Sequence, residues 1–162
     1  MGSASCFPQE PRTADETVIV HSVLDRVREM LPRSVADCLE KVPDDVQLTT
    51  RINPFYLRGD FDGDARMDHA FLIERSGLDG FALCLAGDPQ PTWLGAGKEF
   101  HELTSLDFDD WSVYPKGPVL HGVGESDPPT LQSDALFLLW SERASTLVYW
   151  TGNDFSWYQQ GD

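Results

Sequence analysis

The sequence predicts an α+β fold in which N-terminal amphipathic helices pack on a mainly antiparallel, meander-rich β-sheet. Near the N-terminus, apolar residues recur every three or four positions, which is the period of a helix with one apolar face. After Pro43 the chain is rich in β-branched and aromatic residues, and its last third holds three such runs separated by turns. A meander of this kind needs cover on one face, and the helices would supply it.

The chain is expected to consist of a disordered leader, residues 1–14, and a single α+β domain, residues 15–162. The leader is polar and proline-containing, and the remaining length is ordinary for one domain. Cys6 follows a run of small residues typical of an expression tag, and it also stands where the lipidated cysteine of a bacterial lipoprotein tether would lie. We therefore expect a location in the bacterial periplasm or cell envelope, with the cytoplasm as the alternative.

Two helices are expected before Pro43. The first ends at Pro32, and its apolar face is formed by Val20, Val23, Leu24, Val27, Met30 and Leu31. The second begins at Ser34, where Asp37 three residues later resembles a capping box. Its apolar side is formed by Val35, Cys38 and Leu39.

The strands are predicted from short aromatic and β-branched runs bounded by turn residues. In chain order they lie at residues 46–49, 55–57, 69–73, 81–85, 135–140, 147–150 and 155–158. The Gly- and Pro-rich residues 87–97 are expected to be a loop with one edge strand. In the acidic stretch at residues 107–110 two of the three aspartates are adjacent, so we interpret it as a solvated turn.

Cys38 falls in a predicted helix and Cys84 in a predicted strand. The sequence leaves two states open for this pair, namely two buried thiols or one disulfide. Export to an oxidising compartment would favour the disulfide, which requires Cα atoms about 4.4–6.8 Å apart. No Cys-x-x-Cys pair accompanies these residues, so a zinc site is not expected.

The strongest chemical signature is an acidic loop between two predicted strands. Asp60, Asp62, Asp64 and Asp68 occupy its first, third, fifth and ninth places, and Arg66 at the seventh offers a backbone carbonyl. Calcium takes six to eight oxygen ligands at about 2.3–2.6 Å, several of them carboxylates, from a loop that curls around the ion. The spacing therefore predicts a Ca²⁺ site.

The flanking strands distinguish this loop from an EF-hand, which needs a glutamate at the twelfth place, where Phe71 stands here. A strand, an Asp-x-Asp-x-Asp-x-x-x-Asp loop and a second strand resemble the calcium loop of FG-GAP repeats, as in integrin α-subunits. The arrangement is also similar to a single acidic hairpin found in uncharacterised bacterial envelope proteins. The resemblance implies Asp60, Asp62, Asp64 and Asp68 as side-chain ligands and Arg66 as a carbonyl ligand.

One position departs from the FG-GAP pattern. The sixth place is normally glycine, because the backbone there adopts a positive φ, and here it is Ala65. The alternative to an ion site is an aspartate-rich turn whose carboxylates cap backbone amides. The motif occurs once and no repeat of about 20–50 residues accompanies it, which excludes a propeller.

The charge of the chain bears on its partners. The net charge is −15, from 27 acidic and 12 basic residues. It repels the phosphate backbones of nucleic acids, so nucleic-acid binding is not expected, and it favours cations or a basic protein partner. The sequence contains no apolar run of about 18 residues, so it does not predict a transmembrane helix. The sequence does not predict an oligomeric state.

The predicted function is a non-catalytic binding protein with a structural calcium loop. A specific version is an immunity or inhibitor protein that neutralises a basic toxin or enzyme. The alternative is a metal-dependent hydrolase that uses the acidic loop. The chain carries none of the sequence-local catalytic motifs of hydrolases, and His69 beside Asp68 could serve as a base or be an ordinary strand histidine.

Overall fold

The computed structural model describes residues 25–122 and 127–161. The chain divides into two units, Met1–Leu31 and Pro32–Asp162. In the first unit, residues 25–30 are helical and mostly exposed, and Met30 is 85% exposed. The predicted domain start at residue 15 and the predicted leader both lie outside the described residues.

The second unit contains one helix and nine strands among its described residues. The helix is α1 (Arg33–Leu39). The strands are β1 (Gln47–Leu48), β2 (Tyr56–Gly59), β3 (Asp68–Arg75), β4 (Leu78–Cys84), β5 (Thr92–Gly95), β6 (Asp110–Tyr114), β7 (Ala135–Trp140), β8 (Ala144–Trp150) and β9 (Phe155–Gly161).

The strands form two antiparallel sheets. In the first sheet, β3 pairs with β1 and β2 along one edge and with β4 along the other, and β5 follows β4. The second sheet has the order β6-β7-β8-β9, so every strand pairs with its neighbour in sequence. The predicted strand positions in the final meander are confirmed, whereas β6 was not predicted.

The two sheets face each other across the main hydrophobic core. Leu72 and Phe81 of the first sheet share this cluster with Leu136, Leu138 and Val148 of the second. Side chains alternate between faces along a strand, so each sheet buries one face against the other. The core therefore lies between the sheets.

The predicted α+β class is wrong, because residues 25–122 and 127–161 form mostly antiparallel sheets, and the short helices among them make no covering layer. A second sheet, rather than helices, covers the apolar face of the first sheet. The sequence pattern did not show that the strands divide into two sheets. The predicted first helix lies partly outside the described residues, and its remainder is mostly exposed. The predicted capping box is also wrong, because Pro32 is the N-cap of α1 and no side chain caps it.

The helix α1 is nevertheless fixed to the first sheet. It buries Val35, Cys38 and Leu39, and Cys38 forms a disulfide with Cys84 at the end of β4. Their Cα atoms are 5.9 Å apart, within the expected range. Of the two states that the sequence left open, the structure has the disulfide.

Candidate metal site

The acidic loop, residues 60–68, connects β2 to β3. Gly59 and Asp68 are register partners, so the two strands close the loop at its base. Within the loop, Gly63 has a φ of 80° and Ala65 a φ of 65°. The expected positive φ at the sixth place is thus confirmed, and an alanine occupies a conformation that favours glycine.

Three of the predicted ligands converge. One ligand atom from each of Asp60, Asp62 and Asp68 lies within 4.8 Å of the others. Two oxygens bound to one calcium ion at about 2.3–2.6 Å cannot be more than about 5 Å apart, and these three meet that limit. The donor set is entirely carboxylate, which suits a hard divalent cation.

Asp68 is the buried member of the three, with no exposed surface. Its Oδ2 accepts a hydrogen bond from the backbone N–H of Phe61, and its Oδ1 accepts one from Ala86, both at 2.7 Å. The pKa of Asp68 is raised to about 6. Burial is the main cause and the charges of Asp62 and Asp64 add to it, while these two hydrogen bonds act in the opposite direction. A bound cation would offset the same desolvation.

Asp60 and Asp62 shape the turn itself. The two oxygens of Asp60 accept hydrogen bonds from the backbone N–H groups of Gly63 and Ala65, at 2.8 and 3.1 Å. Asp62 accepts one from Asp64 at 3.1 Å. Burial, followed by the charges of Asp64 and Asp60, raises the pKa of Asp62 despite this bond. Such bonds also occur in aspartate-rich turns without an ion, so they are consistent both with a calcium site and with an ion-free turn.

The structure places Asp64 differently from the other three aspartates. Its Oδ2 lies 2.6 Å from Nε and 2.5 Å from Nη2 of Arg66, and this pairing lowers the pKa of Asp64. Arg66 Nη1 also donates to the carbonyl of Ala86 at 3.4 Å. Asp64 is therefore bound to a guanidinium rather than joined to the converging three. The side chain of Arg66 thus has a role that the sequence did not suggest.

Two residues that the sequence analysis missed connect the loop to the second sheet. Asp134 Oδ2 accepts a hydrogen bond from the N–H of Asp60 at 3.1 Å, and the N–H of Asp134 donates to the carbonyl of Asp60 at 2.8 Å. Ser133 Oγ donates to the carbonyl of Phe61 at 3.1 Å. Because Asp60 and Asp134 are 74 positions apart, no local pattern signals this contact.

His69 does not join the site. It follows Asp68 in β3, and successive strand residues point to opposite faces. Its ring stacks on Phe71, and its Nδ1 has no hydrogen-bond partner in the described part of the chain. Burial, with the charge of Arg58, lowers the pKa of His69. It is therefore a buried strand histidine rather than a base beside the carboxylates.

Comparison with protein-family models, with characterised proteins and with solved structures found no match to the chain. The resemblance to FG-GAP loops therefore remains a prediction from the loop residues alone. Among the described helices, none is long and apolar enough to cross a membrane.

Proposed function

We propose that the acidic loop holds a structural Ca²⁺ ion in a non-catalytic protein that binds a basic protein partner. The observation that carries the proposal is the convergence of Asp60, Asp62 and Asp68 within 4.8 Å. These three carboxylates would hold the ion, and the ion would neutralise charges that otherwise repel one another. The FG-GAP-like spacing of the loop supports the choice of calcium.

The surroundings of the loop favour a structural role over the hydrolase alternative. Asp68 is fully buried, and Asp60 is bonded on both sides to Asp134 of the segment that leads into β7. An ion between these residues would fasten the loop to its own base and, through Asp60, to the second sheet. Fixing a loop in this way adds stability without requiring access for a substrate.

The proposed partner follows from charge. A protein with a net charge of −15 attracts basic surfaces over a distance of about 8 Å at physiological ionic strength. Association with a basic protein should slow steeply as salt is raised. An association rate that is the same at low and high salt would contradict this part of the proposal.

The proposed location is the bacterial periplasm or cell envelope. The disulfide between Cys38 and Cys84 supports it, because such bonds persist in oxidising compartments and are rare in the cytosol.

The calcium site can be tested by isothermal titration calorimetry on chelator-treated protein. We expect one Ca²⁺ per chain with a dissociation constant in the micromolar-to-millimolar part of the known range, because Ala65 strains the loop. Mg²⁺ should bind more weakly, since it dehydrates reluctantly and demands near-octahedral geometry. Asp62→Asn should weaken Ca²⁺ binding, and the matched variant Asp110→Asn should not. The absence of Ca²⁺ binding to the wild-type chain would refute the site.

A further inference from the structure

The acidic loop contains a cation of its own, the guanidinium of Arg66. Its Nε and Nη2 lie 2.6 and 2.5 Å from Asp64 Oδ2, and the backbone N–H of Arg66 donates to Asp64 Oδ1 at 2.8 Å. One residue therefore engages both carboxylate oxygens of Asp64. Asp64 continues the alternate spacing of Asp60 and Asp62, yet its oxygens are not among those that converge within 4.8 Å.

The same guanidinium contacts the segment that follows β4. Arg66 Nη1 donates to the carbonyl of Ala86 at 3.4 Å. Gly87 leaves room for the pair, because a Cβ at this position would lie 2.5 Å from Arg66 Nη2 and 3.4 Å from Asp64 Oδ2. The backbone of this segment therefore helps to set where the guanidinium lies, and a side chain at Gly87 would displace it.

The charge of Arg66 also acts on two of the converging carboxylates. The hydrogen bond and the charge of Asp64 raise the pKa of Arg66, and the charges of Asp62 and Asp68 act in the same direction. The guanidinium therefore partly neutralises the group of carboxylates that a bound ion would neutralise. A second cation at the loop would be repelled by Arg66 and would find Asp64 already paired.

The pair between Asp64 and Arg66 can open, because both side chains reach the surface. The Asp64 side chain is 27% exposed and the Arg66 side chain 57%. Ion pairs between exposed groups are weak, since water and salt screen them and two side chains must be ordered. The affinity of a Ca²⁺ site, in contrast, rises with the number of charged ligands. Asp64 therefore has two alternative partners, the guanidinium and a bound ion.

We propose that Arg66 sets the calcium affinity of the acidic loop by competing with the ion for Asp64. Removing the guanidinium releases Asp64, which then acts as a fourth carboxylate ligand. This inference rests on the proposed calcium site and names the residue that limits its affinity. It does not depend on the basic partner.

The test combines two measurements on the full chain. Calorimetry gives the Ca²⁺ affinity, and the luminescence lifetimes of bound Eu³⁺ in H₂O and D₂O count the waters on this substitute for Ca²⁺. Arg66→Gln, which keeps the backbone carbonyl at this position, should tighten Ca²⁺ binding by about two- to fivefold, the strength of an exposed ion pair. It should also remove about one or two waters from Eu³⁺, because a carboxylate supplies one or two oxygens. Adding Asp64→Ala should restore these waters and abolish the gain in affinity.

Two further variants separate competition for Asp64 from a simple change of charge. Arg58→Gln removes an arginine two residues before the loop, which makes no ion pair with a loop aspartate in the described part of the chain. It should tighten Ca²⁺ binding less than Arg66→Gln and leave the waters on Eu³⁺ unchanged. Gly87→Ala keeps every charge but crowds the guanidinium. It should tighten Ca²⁺ binding and remove water from Eu³⁺, as Arg66→Gln does.

Three results would contradict the competition while leaving the calcium site standing. They are an unchanged water count in Arg66→Gln, equal tightening by Arg66→Gln and Arg58→Gln, and a loss of water that persists when Asp64→Ala is added. In the last case a group other than Asp64 would have replaced the waters. Absence of Ca²⁺ binding to the wild-type chain would instead refute the calcium site and this inference with it.

Discussion

The acidic loop and the acidic stretch at residues 107–110 both lead into a strand, but their carboxylates have different partners. In the loop, the oxygens of Asp60, Asp62 and Asp68 converge within 4.8 Å. In the second stretch each of the three aspartates serves a separate donor. Asp107 accepts from Trp140 Nε1, Asp109 from the N–H of Ser141 at 2.6 Å, and Asp110 from the N–H of Trp111 at 2.8 Å.

The difference follows from how each stretch is closed. The alternate positions of Asp60 and Asp62 place their side chains on one side of a curled loop, and strand pairing returns Asp68 to its base. The second stretch also has an alternate pair, Asp107 and Asp109, but the strands on either side of it, β5 and β6, lie in different sheets, so their pairing does not close it. Alternate spacing alone therefore does not bring carboxylates together, whereas alternate spacing in a loop closed by paired strands does.

Of the substitutions that test this comparison, Asp68→Ala is expected to cause the largest loss of stability. The substitution leaves the N–H groups of Phe61 and Ala86 without their buried acceptor, which should cost about 2–4 kcal/mol of unfolding free energy in chelator. Asp109→Ala, which removes an exposed acceptor, should cost less than about 1 kcal/mol. Urea unfolding of the two variants measures both values, and similar losses would break the distinction.

Asp134→Ala should have the next largest effect, because it separates the acidic loop from the second sheet. The side chain accepts from the N–H groups of Asp60 and Lys116, at 3.1 and 3.0 Å. Losing two partly exposed hydrogen bonds should cost about 1–2 kcal/mol in the same unfolding experiment. It should also increase amide hydrogen exchange at Asp60. An unchanged exchange rate there would show that the contact does not hold the loop.

These contacts mark the limit of what the sequence reveals. Local runs and spacing were enough to predict most strands and the acidic loop. They also showed that Cys38 and Cys84 could be either two thiols or one disulfide. The packing of the second sheet on the first could not be predicted, because the residue pattern along β7 and β8 does not show whether helices or another sheet pack against them. Asp134 and the engagement of Asp64 by Arg66 depend on distant or side-chain geometry that leaves no periodic signal.

Ala65→Gly should have a smaller effect in the opposite direction. Glycine adopts a φ near 65° without the steric cost that a Cβ imposes, so the substitution should stabilise the chain by up to about 1 kcal/mol. It should also tighten Ca²⁺ binding. The control is Gly63→Ala, whose added Cβ would meet the carbonyl oxygen of Gln132 at 3.3 Å with φ at 80°. That variant should lose stability, and a stabilised Gly63→Ala would contradict the loop geometry.

The smallest expected effect is the pH dependence of calcium affinity. The pKa of Asp68 is raised to about 6 in the folded chain, so a proton competes with the ion as the pH falls through this value. Half-protonation at about pH 6 should weaken Ca²⁺ binding about twofold relative to neutral pH, and affinity should fall further below it. Calorimetric titrations at several pH values measure this. A calcium affinity that rises on acidification would contradict the assignment of Asp68 as a ligand.

The most direct test of the calcium loop is thermal unfolding of the wild-type chain in chelator and in millimolar calcium. An ion that binds only the folded loop should stabilise it by about 2.7 kcal/mol when free calcium is about a hundred times the dissociation constant. We predict a higher melting temperature in calcium for the wild type and no calcium response for Asp62→Ala. Superimposed melting curves for the wild-type chain would mean that the loop is an acidic turn without an ion.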